Sequence, residues 1–194
     1  MVLSRRLAVW VLAAGSCPGK LLAEGVLERL QLHARPRPSP DFTLHDAAGS
    51  EVASDAFSGQ GLVLNFWATW CPPCVEEMPA LARLAAALAG EGVRVVAASQ
   101  DRGGVPVVRA FYERVGISGL PIWLDPRGAA GRAFGIRGLP TTVILDRDRS
   151  EVARLEGAAA WDAPRAIARI RELVAPAPAG STRAAVIDAA ASPG

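Results

Sequence analysis

The sequence predicts an α/β domain built on a mixed central sheet with helices on both faces. "GLVLNFW" (61–67) and "VRVVAAS" (93–99) are nearly continuous apolar runs, as expected of strands buried on both faces. Between them Met78, Leu81, Leu84 and Leu88 recur at helical spacing, which makes a strand–helix–strand crossover with parallel strands. Farther on, "LPTTVILD" and "EVARLEG" flank Arg147 and Asp148 as an antiparallel hairpin, so the sheet is mixed.

Taken from the N-terminus, residues 1–23 read as a signal peptide or signal anchor. Ser4-Arg5-Arg6 is a basic start, Leu7 to Ala14 an apolar run, and Ala13-Ala14-Gly15-Ser16 a small-residue cleavage region. The run is shorter than the roughly 20 apolar residues that span a bilayer comfortably. Cleavage, retention as a membrane tether and lipidation at Cys17 within "AGSC" all stay open, and each implies a periplasmic or extracytoplasmic location. Residues 24–40 are expected to form a linker: Glu24 to Leu32 has the pattern of a short amphipathic helix, and "ARPRPSP" (34–40) reads as a spacer too stiff and polar to join a core.

The folded domain is placed at 41–175. "DFTLHDAAGSEVASDAF" alternates and breaks at Ala48-Gly49, which suggests a small hairpin. After the 61–67 strand, the helix starting at Pro72 is stopped by Gly90 and Gly92, and Pro79 should kink it. A second helix is expected over Val105 to Val115, then a short strand in "LPIWLD", a short helix in "RGAAGRAFGI" and the hairpin. The last helix is Pro164 to Val174, with Asp162 near its start as a cap. Residues 176–194 are rich in Ala and Pro, lack an apolar period and read as a flexible tail.

Composition narrows the function. Against 21 basic residues stand 19 acidic ones, with no basic run, so nucleic acid is set aside as a partner. Three cysteines cannot build a multi-bridge framework; Cys71 and Cys74 form a pair and Cys17 is a stray. "WATWCPPCVEEMP" (67–79) sets the pair between a buried strand and a helix, where free backbone N–H groups and the helix dipole favour a thiolate at Cys71. Cys74, one turn on, is positioned to resolve a mixed disulfide formed at Cys71. Structural zinc would need two more ligands, for which only His33 and His45 remain, both expected outside the interior. A peroxidatic cysteine would want Thr or Ser three residues earlier, where Ala68 stands.

"LVLNFWATWCPPCVEEMPAL" (62–81), followed by "GIRGLPTTVILD" (135–146), resembles the exported TlpA/ResA/DsbE-like thiol-disulfide oxidoreductases of the thioredoxin superfamily, over roughly residues 38–175. The resemblance implies a thioredoxin-like fold with an N-terminal hairpin extension and an inserted strand–helix segment that takes in residues 100–120. It implies a redox disulfide between Cys71 and Cys74, no cofactor, protein substrates bearing a disulfide or dithiol, and a membrane thiol-reductant donor. Pro140 matches the family's cis-proline, which leaves the Leu139 backbone free to pair with substrate; Trp70, Pro72 and Pro73 would line the docking surface while Trp67 packs inside. Asn65 stands where cytoplasmic thioredoxins have a buried aspartate, so another acid must manage the proton of Cys74. Glu77 resembles the family's acid there, although both Glu76 and Glu77 also suit a first turn that complements the helix dipole.

Pro72 and Pro73 offer no N–H, so Cys71 should be only moderately acidic, which favours a reductase. The family's substrates include apocytochrome c, copper-site cysteines and sulfur-oxidation proteins; Thr141 replaces the acidic residue that DsbE-type members show after the cis-proline, which weakens the cytochrome assignment. Arg102, Arg109 and Arg114 form an Arg-rich insertion, read as solvated surface with docking as the alternative. A Cu(I)-binding metallochaperone, with Met78 as the nearby soft ligand, and an oxidant or isomerase direction are the rival functions.

Overall fold

The computed structural model describes residues 28–176, so the signal segment, Cys17 and nearly all of the tail lie outside the described residues. Eight strands form one sheet: β1 (Gln31–Pro38), β2 (Thr43–His45), β3 (Glu51–Ala53), β4 (Gly61–Trp67), β5 (Val93–Ser99), β6 (Trp123–Leu124), β7 (Thr141–Leu145) and β8 (Ser150–Glu156). Helices are α1 (Pro72–Ala87), α2 (Gly104–Val115), α3 (Ala129–Ala133) and α4 (Pro164–Val174), with a 3-10 turn at Ser54–Phe57. The spatial order is β1-β8-β7-β4-β5-β6-β2-β3.

β4 is central because its side chains are apolar on both faces. All seven residues are buried, and the strand pairs parallel with β5 and antiparallel with β7. Val63 and Trp67 pack on one face with Met78, Leu81 and Leu84 of α1, Phe111 of α2 and Ile170 of α4. Leu62, Leu64 and Phe66 pack on the other with Phe42, Phe57 and Phe134. A strand's side chains alternate, so Asn65 shares the α1 face with Val63 and Trp67. This places a buried amide beneath α1.

The hairpin expected within 42–57 is β2 paired antiparallel with β3, and β2 reaches the sheet through His45 opposite Leu124 of β6. Pro79 lies inside α1, which continues to Ala87. Asp162 is not the cap of α4: the N-cap is Ala163, which makes no side-chain hydrogen bond, and the Asp162 carboxylate accepts from Arg83 Nε at 2.7 Å.

The linker expectation needs a larger correction. Residues 31–38 are a strand, paired antiparallel with β8, and not a free spacer. Pro36 and Pro38 are tolerated because β1 is the sheet edge, where half of the backbone N–H groups need no partner. A register shift between Leu32 and Arg37 absorbs the irregularity. His33, expected outside the interior, is buried, and its Nε2 lies 2.7 Å from Glu151 Oε1. Arg154 holds the same carboxylate through Nε at 2.7 Å and Nη2 at 2.9 Å. Burial pushes the Glu151 carboxyl up, but the hydrogen bonds and charges of Arg154 and His33 outweigh it and hold the pKa below its usual value.

Glu151→Ala is therefore expected to cost about 3 kcal/mol, because it strands the Arg154 cation and the buried His33 ring at a largely buried site. Thermal unfolding measures the loss, and hydrogen exchange should show β1 opening first. The wild-type contribution is present above the ordinary carboxylate pKa and is lost as pH falls through the lowered one. An unchanged melting temperature would remove this cluster from the account of how β1 is held.

Candidate active site

Cys71 is the N-cap of α1, and Pro72 and Pro73 occupy its first helical positions. Their fixed φ suits a helix start, and their missing N–H groups would have had no intrahelical acceptor there. The loop ahead is braced by Asp101, whose carboxylate accepts from Thr69 N at 2.9 Å, Thr69 Oγ1 at 2.7 Å and Ser99 Oγ at 2.7 Å. Cys71 and Cys74 are joined by a disulfide, with Cα atoms 5.3 Å apart. Cys71 is 5% exposed and lines a groove, whereas Cys74 has no exposed surface. Attack from outside therefore reaches Cys71 first.

The two tryptophans separate as expected: Trp67 is fully buried against Phe111 and Tyr112, and Trp70 is 67% exposed beside the cysteines. Across the groove, the Leu139–Pro140 peptide is cis. The Pro140 carbonyl accepts from Gly157 N at 2.8 Å, and Thr141 Oγ1 donates to Gly138 O at 2.8 Å. Leu139 precedes β7, and its own N–H and C=O make no backbone hydrogen bond among the described residues. The groove has a volume of about 600 Å³ and brings together Trp70, Cys71, Pro72, Pro73 and Leu139; the ring of Pro140 stays buried.

Glu77, one turn after Cys74 in α1, is 3% exposed. Asn65 Nδ2 donates to its Oε1 at 2.8 Å; Ala159 N and Trp161 Nε1 donate to Oε2 at 3.0 and 2.9 Å. Desolvation raises its pKa from 4.5 to about 7, against the pull of these donors and the charge of Arg29. Asn65 Nδ2 also donates to Thr142 Oγ1 at 2.9 Å, while Asn65 Oδ1 is buried without a partner among the described residues. Arg29 donates from Nη2 to Glu156 O at 2.8 Å and from Nη1 to Ala158 O at 3.0 Å, which clamps the turn that leads to Ala159. Glu76, by contrast, is exposed.

Sequence reasoning named the cysteines, Glu77, Asn65, Pro140 and both tryptophans as candidates, but not Arg29, Ala159, Trp161 or Thr142, which the structure places around Glu77 and Asn65. Their side chains carry no local signal of a role at Glu77, 48 to 84 residues away in the cases of Arg29 and Trp161. Met78, weighed as a soft metal ligand, is buried in the core, and His33 is committed to Glu151.

The chain is similar to known proteins. The AhpC/TSA family model matches residues 37–152. The chain is 27% identical over 152 residues to the thiol-disulfide oxidoreductase ResA of Bacillus cereus, covering 78% of this chain and 86% of that relative. To the ResA of Bacillus thuringiensis subsp. konkukian it is 30% identical over 119 residues, 61% of this chain and 68% of the relative. A solved structure assigned as the thiol:disulfide interchange protein DsbE of Chlorobium tepidum superposes with a TM-score of 0.63 at 26% identity, covering 72% of this chain and 97% of that one. A thiol:disulfide interchange protein of the thioredoxin family from Chlorobium tepidum TLS gives 0.57 at 28% identity, with 71% and 98% covered. With its thioredoxin-like sheet and its paired cysteines at a helix start, the chain belongs to the AhpC/TSA family, among relatives that are thiol-disulfide oxidoreductases.

Proposed function

We propose that this chain is an exported reductase of specific protein disulfides, cycling between the Cys71–Cys74 disulfide and the dithiol. The observation that carries the direction is the poverty of donors around Cys71. Pro72 and Pro73 supply no N–H, and Val75 N is occupied by the Cys71 carbonyl at 3.1 Å, so only Cys74 N remains in the first turn to stabilise a thiolate. A thiolate that is poorly stabilised gives a reduced form that readily surrenders its electrons.

In the cycle, the Cys71 thiolate attacks one sulfur of a substrate disulfide; the Cys71–substrate bond forms and the other substrate sulfur leaves as a thiolate. Cys74 then attacks Cys71 Sγ, which closes the protein disulfide and releases the second substrate thiolate, so two electrons have passed to the substrate. Glu77 takes the proton of Cys74 in that second step. Its pKa near 7 suits an acceptor at neutral pH, and Asn65 can follow the change: Nδ2 donates to the carboxylate, and Oδ1, after the amide turns over, accepts from the acid. The free backbone of Leu139 offers strand pairing to an extended substrate segment, and Trp70, Pro72 and Pro73 offer it an apolar surface. A basic start and apolar run at residues 4–14 support export, and a membrane thiol donor would regenerate the dithiol.

The reduction potential of the chain, equilibrated in thiol-disulfide buffers and followed by Trp fluorescence, tests the direction. A value below roughly −230 mV is expected; one above roughly −150 mV would make the protein an oxidant or isomerase. The absence of a reversible couple would favour capture of a soft metal ion by the two sulfurs.

A further inference from the structure

The surface around the dithiol is lined by arginines. The cleft that contains Cys71 also contains Arg132 and Arg137, and an adjoining cleft of about 650 Å³ contains Arg102, Arg127 and Arg132. Both clefts share Trp70, Gln100, Gly128 and Arg132, so they form one groove that wraps the exposed indole. No acidic residue lines either part. The neighbouring acids are withdrawn: Asp101 is buried with its oxygens taken by Thr69 and Ser99, and buried Asp125 accepts from Ala130 N and Gly131 N. The guanidinium groups of Arg102, Arg127 and Arg137 are exposed and have no hydrogen-bond or ion-pair partner among the described residues, and Arg132 donates to the Arg127 backbone carbonyl at 2.6 Å. Since the chain as a whole is nearly balanced, with 21 basic and 19 acidic residues, this single-sign lining is local to the reactive sulfur.

We infer that the groove selects an extended, acidic segment that carries the substrate cysteine. The inference rests on the exchange chemistry proposed above and adds the substrate's charge to it. An extended segment whose cysteine is held at Cys71 passes along the same groove that Arg132 and Arg137 line. Guanidinium groups fork carboxylates with paired hydrogen bonds and stack on indole faces, so Trp70 can seat the apolar part of the same segment. Exposed pairs of this kind are individually weak, and their main effect is on the rate of encounter.

The test uses the full chain with Cys17→Ser and Cys74→Ser, which leaves Cys71 as its one thiol. Peptides that differ only in aspartate or lysine flanks present their cysteine as a 2-pyridyl disulfide. The Cys71 thiolate attacks the peptide sulfur, the Cys71–peptide bond forms, and pyridine-2-thione leaves with the electron pair of the broken bond; its absorbance gives the rate. Normalised to the rate with 2,2′-dipyridyl disulfide, the acidic peptide is expected to react on the order of tenfold faster than the basic one at low salt, with the ratio falling toward one as salt screens the charges. Arg127→Gln with Arg137→Gln should cut the ratio to about threefold or less, while Arg109→Gln, outside both clefts, should preserve it.

Brisk release with a ratio near one at low salt overturns the groove and leaves the exchange chemistry standing. No release even from 2,2′-dipyridyl disulfide overturns both. If phosphatidylcholine vesicles containing phosphatidylglycerol bind the chain through Arg127 and Arg137 while the peptide ratio stays near one, the groove faces lipid and the acidic-substrate inference is wrong.

Discussion

Serine at Cys71 is expected to abolish disulfide exchange, whereas serine at Cys74 is expected to stall the protein as a mixed disulfide with its substrate. In a Cys17→Ser background, turnover should fall on the order of a thousandfold in both variants, because a neutral hydroxyl replaces a thiolate in one of two sequential attacks. The asymmetry comes from burial. Cys71 lines the groove and Cys74 has no exposed surface, so only Cys71 can meet a folded partner. Non-reducing electrophoresis with a disulfide-bearing protein separates the two cases: the adduct should accumulate with Cys74→Ser and be absent with Cys71→Ser. Equal trapping by both would contradict the assigned order of attack. Metal capture makes a different prediction, since losing either sulfur would then weaken binding about equally.

Glu77→Gln is expected to slow resolution of the mixed disulfide about a hundredfold near neutral pH, while making the fold more stable above pH 7. The kinetic effect follows from position and proton affinity. Glu77 sits one helical turn from Cys74, and a pKa raised to about 7 makes it able to take a thiol proton and release it again. In the wild type the resolution rate should rise as Glu77 ionises near pH 7, and the variant should lose that inflection. The stability effect has the opposite sign. Between 4.5 and about 7 the folded chain retains a proton that the unfolded chain has lost, so wild-type stability is fully present below the lower value and declines as pH rises through the higher one. Removing the ionisation should return up to about 3 kcal/mol at pH 8. The amide fits the site, because its oxygen can keep the Ala159 and Trp161 donors while its NH2 donates to Asn65 Oδ1 once the Asn65 amide, whose Nδ2 faces Glu77 in the wild type, turns over. A wild-type pH profile in the variant would reduce Glu77 to a structural residue.

Much of this site can be read along the chain. A seven-residue apolar run identifies β4, helical spacing from Met78 identifies α1, and the cysteines fall at the junction between them. Trp67 and Trp70, three residues apart, separate into core and surface because one belongs to the strand and the other to the exposed loop before the helix. Edge strand β1 escapes such reading. Its prolines and charges look like a spacer, and it becomes a strand only because β8 supplies the pairing and a buried His33–Glu151–Arg154 cluster closes over it. Asp162 likewise has the composition of a cap, but an arginine 79 residues away takes its carboxylate.

By itself, the sequence determined the central strands and the helices, the cysteine pair and the candidate acid, since each depends on burial or spacing within a few turns of chain. Tertiary structure alone decided what surrounds those groups. Two of the donors to Glu77 come from residues 82 and 84 positions away, the clamp on their turn comes from Arg29, and the groove collects Arg102, Arg127, Arg132 and Arg137 from separate segments. Periodicity records which face of an element avoids water, but the proton affinity of a buried carboxyl and the charge of a groove depend on through-space neighbours that meet only when the sheet order is set.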